Sequence, residues 1–365
     1  MNTLVLIPHR RRLGYAFFAD SGRKALLELT LTGSATDAAA VREALDKIMA
    51  DCLTLNAGPV ELVAIRCLHG GTAFGGAAPV DELMLERFAA LAAEAPVHVP
   101  VAHLLARSAL ELFVGAAVVM TFETAFFVNL PERERRYAIA DGSVGRLGYH
   151  GFFHQAAAAQ PHGRRPGGAT RTVSLCLEPR PELVAMIDRR PIMVTSGATP
   201  LEGLPGETTC GDMDPTIVLE LHRRLGWGPE QINQMLTRQS GLSALVGKRV
   251  RLGQVLSAFQ PPEPTTSQPK QVADGLFLAQ SVFAYRTRLA VGAAIAAMGG
   301  LDRIVLSGRY AGEAQAMAAW LADTLRCATG NRRRPIVVTC RERLNRIVAD
   351  QAAAVALGEL QTNTA

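Results

Sequence analysis

The first place where residue types invite chemistry is Arg66-Cys-Leu-His-Gly-Gly71, an arginine near the end of an apolar run followed by a histidine and two glycines. Consecutive glycines at a strand end let the backbone turn sharply or approach a ligand, although a plain turn is the commoner use. Two further histidines sit beside turn residues, His98 after Ala95-Pro-Val and His150 between Tyr149 and Gly151. Taken alone, an arginine at a strand end is ordinarily a surface ion pair, and a histidine beside glycine a satisfied turn residue. The six cysteines form no CxxC pair and no His/Cys spacing of a zinc site, so they read as reduced, partly buried thiols.

Charge narrows the partners. With 38 Lys and Arg against 33 Asp and Glu the net charge is +5, a weak bias toward anionic ligands. The arginines are dispersed apart from Arg10–Arg12, Arg164–Arg165 and Arg332–Arg334, and lack interleaved aromatics, so no nucleic-acid partner is expected. The longest apolar stretches, 113–122 and 289–301, fall short of a membrane span, and no charged-then-apolar leader follows Met1. A cytoplasmic protein without a membrane partner is the expectation.

The elements that must position these residues follow from periodicity. Segments 3–7, 14–20 and 24–32 read as an antiparallel meander. Thr36 or Asp37 caps a helix in which Val41, Leu45, Ile48 and Met49 recur at helical spacing, and a strand over 61–68 follows. Helices are expected over 81–94 and 101–113, then a buried strand within 114–122, and loop chemistry over 142–151. Past an exposed Gly/Pro/Arg connection at 160–168, strands return at 172–177, 183–188 and 191–196. Helices then run over 215–225, 229–238 and, after a Pro-rich loop at 260–269, 272–298. The chain ends strand 304–307, helix 312–329, strand 336–340 and helix 342–357. Strands early and helices late in each half make a mixed α/β protein of two related halves.

Ordered motifs make the reading specific. After the 66–71 segment come Ala95-Pro-Val-His98, Thr124-Ala-Phe126, Leu147-Gly-Tyr-His-Gly151, Thr199-Pro-Leu-Glu-Gly-Leu-Pro205 and Cys210-Gly-Asp-Met-Asp-Pro215. In this order they resemble the acetate kinase family, the acetate, propionate and butyrate kinases of the actin and sugar-kinase superfamily. The resemblance implies an α/β fold of two actin-like (ribonuclease H-like) domains facing a cleft. One comprises residues 1–122 with a returning helix in 342–365 and the other residues 123–341, usually in a homodimer.

It further implies transfer of a phosphoryl group from ATP, with Mg²⁺, to a short-chain carboxylate such as acetate or propionate, giving an acyl phosphate. Such transfer depends on in-line positioning and on neutralising charge at the equatorial oxygens. By the resemblance, Arg66 contacts the carboxylate, Leu68, Val97, Tyr149 and Pro200 form the apolar pocket, and His150, His98 and Glu123 are catalytic. Glu123 stands where the family has aspartate. Glu342 and Asp212 are the metal candidates, and Gly312 and Glu313 remain from the adenosine-side motif.

The phosphate side departs from the family. Pro8-His-Arg-Arg-Arg-Leu-Gly14 replaces an asparagine-glycine-serine turn, Cys176-Leu-Glu-Pro-Arg-Pro-Glu182 replaces a glycine-containing phosphate loop, and Thr209 replaces an arginine. Prolines remove N–H donors and bulky residues bar close backbone approach. Arg10 and Arg11 are candidates to supply point charges instead. Three readings stand side by side: a kinase using ATP, one using another phosphoryl donor such as pyrophosphate, and a catalytically impaired member that binds a small carboxylate or acyl phosphate in a regulatory or assembly role.

Overall fold

The computed structural model describes residues 1–9, 12–20, 22, 24–32, 37–161, 168–259, 275–328 and 334–358, with only the backbone of Cys327. Arg10, Arg11, Thr36, Arg164, Arg165, Arg332, Arg333 and the Pro-rich stretch lie outside them. The chain divides into two compact units, Met1–Val128 with Glu342–Ala365, and Asn129–Arg341.

In the first unit, β1 (Thr3–His9), β2 (Arg12–Phe18) and β3 (Leu27–Thr32) form the expected meander. Helix α1 (Ala38–Leu53) is capped by Asp37, whose carboxylate accepts from Ala40 N, and it buries Val41, Leu45, Ile48 and Cys52. Strand β4 (Leu62–Cys67) then runs parallel to β1, and β5 (Ala78–Pro79) is a short edge piece. Helices α2 (Glu82–Ala89) and α3 (Val99–Leu112) precede β6 (Ala117–Phe122), which is parallel to β4. The sheet order is β3-β2-β1-β4-β6-β5. The closing helix Leu344–Ala356 packs Ile347, Val348, Ala349 and Ala352 toward β1, β4 and β6. Because β4 is central and buried on both faces, it is apolar throughout except for Arg66.

The second unit begins with α4 (Glu132–Arg135) and α5 (Gly151–Ala159), then β7 (Arg171–Cys176), β8 (Glu182–Ile187) and β9 (Arg190–Val194). Asp188 and Arg189, both at positive φ, make the two-residue turn joining β8 to β9. Four helices follow, α6 (Thr216–Leu225), α7 (Pro229–Arg238), α8 (Gly241–Val246) and α9 (Leu252–Ser257), and then the long α10 (Gly275–Met298). Strand β10 (Arg303–Ser307), α11 (Gln315–Thr324) and β11 (Ile336–Thr339) complete it, in the order β11-β10-β7-β8-β9. Numbered within each unit, both sheets place a three-strand antiparallel meander beside two further parallel strands, so the two halves share one topology.

Four helices were not expected from sequence: α4, α5, α8 and α9. The glycines at 148 and 151 read as loop, yet Gly151 opens α5, which buries Phe152, Phe153, His154, Ala157 and Ala158. Tertiary burial overrides the local signal there. The helix expected over 312–329 is shorter, because Gly312 lies in the turn before α11.

Candidate active site

The parallel neighbours β4 and β6 carry the first cluster. Arg66 pairs in register with Thr121, and Glu123 follows β6 directly, so the C-terminal ends of adjacent strands bring the two side chains together. Arg66 Nε donates to Glu123 Oε1 at 2.8 Å, and Nη2 lies 2.6 Å from the same oxygen, with both residues buried. Nη1 of Arg66 has no partner among the described residues. A small pocket is lined by Arg66, Leu68, Val97 and His98, together with Pro8, His9, Cys67, Val101 and Ala102. Its walls are mostly aliphatic and its one permanent charge is Arg66. Burial pushes the Cys67 thiol well up despite Arg66 beside it, so that sulfur stays protonated and is a poor nucleophile.

The glycines behind this pocket have a steric reason. A Cβ on Gly70 would lie 2.7 Å from the Phe122 ring, which stacks on Phe74, and Gly70 N donates to Thr124 Oγ1 at 2.9 Å. Thus the segment after Arg66 is fixed against the segment after Glu123. His69 is held by Glu94 at 2.9 Å.

A second cluster belongs to the other unit. His150 precedes α5 and its Nε2 donates to the Arg180 carbonyl at 2.9 Å, which fixes the tautomer. The carboxylate of Glu182 accepts from the backbone N–H groups of Tyr149 (3.0 Å) and His150 (3.1 Å), capping the positive end of α5. His154, one turn into the helix, bridges Glu182 (3.0 Å) and Ser174 (2.7 Å), all three buried. Burial alone would raise the Glu182 carboxyl. The hydrogen bond and charge of His154, the charge of His150 and a hydrogen bond from Ser196 outweigh it and hold the group at about 2. Sequence reasoning missed His154, Ser174 and Glu182. The only available signal was that His150 and His154 share a helix face at i, i+4.

Tyr149 is half-buried, its hydroxyl donating to the Ala198 carbonyl at 2.5 Å, two residues before the half-buried Pro200. The 199–205 and 210–215 motifs interlock: Asp212 Oδ1 accepts from Gly203 N at 2.7 Å while Asp212 N donates to Gly203 O at 2.9 Å. Gly203 (φ 101°) and Gly211 (φ 71°) allow this close approach. Asp212 therefore already has a bracing use, although it is exposed. Glu342 is exposed and has no side-chain partner among the described residues. Gly312 and Glu313 are exposed on the turn after β10. Arg66, Leu68, Val97, His98, Glu123 and Glu342 belong to the first unit, and His150, Tyr149, Pro200, Asp212, Gly312 and Glu313 to the second.

The order of these motifs has a counterpart among known proteins. The model of the acetokinase family matches residues 16–363. This chain belongs to the acetokinase family. It is 32% identical over 275 residues to an acetate kinase of Ectopseudomonas mendocina, covering 73% of this chain and 67% of that protein. The crystal structure of Porphyromonas gingivalis acetate kinase matches with a TM-score of 0.82 at 20% identity, over 97% of this chain and 99% of that one. A propionate kinase from Francisella tularensis matches at 0.77 and 21%, over 96% and 98%. The two units are accordingly the two actin-like α/β domains of an acetokinase fold.

Among the described residues no group of three or more His, Cys, Asp or Glu side chains is placed to hold a metal ion. Magnesium bound with a nucleotide needs less than that, one or two carboxylates plus phosphate oxygens and water. The exposed and unpaired Glu342 has the right donor chemistry. No helix among the described residues is long and apolar enough to cross a membrane.

Proposed function

We propose that the chain transfers the terminal phosphoryl group of ATP to a short-chain carboxylate, giving an acyl phosphate and ADP. One observation carries the reading: Arg66, held by buried Glu123, lines a small pocket whose other walls are mostly aliphatic. A single charged anchor with Leu68, Val97, Val101 and Ala102 around it suits an acid with a short apolar tail, such as acetate or propionate.

In the transfer, a carboxylate oxygen bonds to phosphorus as the bond to ADP breaks, and the protein's work is orientation and charge stabilisation. Arg66 anchors the carboxylate and Glu123 holds Arg66. His98, beginning α3 at the rim of the pocket, and His150, with Nε2–H committed to the Arg180 carbonyl, stabilise the transferring group. To donate to a phosphoryl oxygen, His150 must use Nδ1, and so must carry a proton there. Tyr149 and Pro200 add to the apolar surface. Gly312 and Glu313 are the nucleotide-side candidates, and Arg10 and Arg11, outside the described residues, are the candidates to supply charge to its phosphates. Magnesium held through Glu342 and phosphate oxygens would neutralise phosphate charge, and Asp212 is its second candidate ligand. The working protein is a cytoplasmic homodimer without nucleic-acid or membrane partners.

The test is acyl phosphate formation from acetate and propionate with ATP and Mg²⁺, trapped as the hydroxamate, beside Arg66→Ala and a pyrophosphate arm. The expected result is ATP-dependent product, reduced at least about a hundredfold in kcat/KM by Arg66→Ala, because removing a charged hydrogen-bond anchor leaves the substrate carboxylate unpaired. Product equal in wild type and variant would remove Arg66 from the reaction. No product from either donor, with acetyl phosphate still binding, would leave a binding protein rather than a kinase.

A further inference from the structure

The second unit carries a basic hollow that the reaction above does not use. It is open to solvent, about 580 Å³ in volume, and lined by Arg238, Lys248 and Arg249 with Thr208, Gln239, Ser243, Ala244 and Gly247. Among the described residues no carboxylate lines it. Arg238, Lys248 and Arg249 make no ion pair or side-chain hydrogen bond among the described residues. Arg180 lies close enough to feel the charge of Arg238, which adds to the repulsion on that side. Glu207, the acid near this turn, is already engaged by Leu252 N at 3.0 Å and the Tyr310 hydroxyl at 2.8 Å.

The backbone that carries the cations is set in place. Arg238 ends α7, and the Thr208 hydroxyl ties that end down by donating to the Thr237 carbonyl at 2.9 Å. Lys248 and Arg249 ride on a short turn between α8 and α9. Gly247 at φ 76° reverses the chain, and Ser243 braces the far side, accepting from Val250 N at 3.1 Å. Like charges gathered without counter-charge repel one another, and an anion bridging them removes that repulsion. A hollow this wide, with cations on two separate elements, calls for an anion with several charges spaced along a chain.

We propose that this hollow is a binding site for a polyphosphate chain of two or more phosphates, with Arg238, Lys248 and Arg249 as its ligands. Nucleoside triphosphates and inorganic polyphosphates share that chemistry. The site does not rest on the carboxylate reaction, since its residues and its binding stand whether or not transfer occurs.

Titration calorimetry of the full chain with inorganic tripolyphosphate, ATP and adenosine tests it, using wild type, Arg238→Ala and the double variant Lys248→Ala/Arg249→Ala. Arg223→Ala, an exposed arginine paired with Glu220 on α6, is the control, charge-matched to Arg238→Ala. The expected result is saturable tripolyphosphate binding at low salt, weakened at least about tenfold by either test variant and unchanged by Arg223→Ala. The affinity should fall less steeply with salt in the variants, as fewer cations meet the anion. Parallel losses for ATP support a site that reads phosphates. Absence of saturable binding, equal losses in the control, or losses confined to ATP would overturn it. All the substituted positions are exposed, so unchanged thermal unfolding serves as the folding check. A protein inactive as a kinase that still shows this pattern would leave the site standing.

Discussion

At the scale of single residues, the Arg66–Glu123 pair joins fold and chemistry. Two buried charges lose hydration that their attraction only partly restores, so such a pair is weak evidence of stability but a firm constraint on geometry. Glu123→Leu leaves Arg66 buried without its partner and should destabilise by about 3–5 kcal/mol in urea unfolding. If isolation of the arginine is the cause, the double variant Arg66→Met/Glu123→Leu should regain most of that stability while remaining unable to use acetate. A double variant as unstable as the single one would mean that the carboxylate is required for something other than holding the guanidinium. Motif order singles out Arg66 in the sequence, and the structure adds that it is buried beside Glu123. The consequence of replacing aspartate by glutamate was not. Only the parallel register of β4 and β6 shows that the carboxylate meets Arg66 Nε and Nη2 on a single oxygen.

At the scale of elements, α5 is positioned by a carboxylate from a different segment. Glu182 lies at the start of β8, and pairing of β7 with β8 puts it opposite Cys176, within reach of the helix N-terminus. Glu182→Gln keeps the shape but removes the charge. Since the folded carboxyl is held at about 2 against an ordinary 4.5, its stabilisation is complete above about pH 4.5 and is lost as the pH falls toward 2. Wild-type stability should therefore decline over that acid window by at most about 3 kcal/mol from this group. The variant should be less stable near pH 7 and lack that part of the decline, as followed by chemical unfolding at fixed pH values. An unchanged acid slope would remove Glu182 as its source. The same element explains what the sequence withheld. The meander, the Asp37 cap and α10 follow from local pattern and turn chemistry. Helix α5 opens in a glycine-rich stretch, and its caps and buried histidine depend on residues about thirty positions away. His154 and Glu182 carry no motif of their own, so no spacing rule joins them before the sheet is built.

At the scale of the whole molecule, the chain leaves its first unit at Val128 and returns at Glu342, so that unit is completed only by the last helix. Ile347, Val348, Ala349 and Ala352 bury against the sheet that carries Arg66 and Glu123. At about 1.5–3 kcal/mol for each buried Ile or Val side chain, with less from the alanines, the helix supplies about 5 kcal/mol. That is a large share of an ordinary domain's stability. The second unit has its own core, including Phe283, Val291 and Ile295 of α10 packed with Val173 and Leu175 of β7. Removing residues 344–365 should therefore abolish hydrogen-exchange protection in β4 and β6 while leaving β7 and β10 protected, and carboxylate use should vanish with the first unit's order. Loss of protection in both sheets would mean that the units fold as one cooperative body, and retention in both would mean that the closing helix is dispensable. Because the basic hollow lies wholly within the second unit, tripolyphosphate binding should survive the truncation that destroys the pocket beside Arg66.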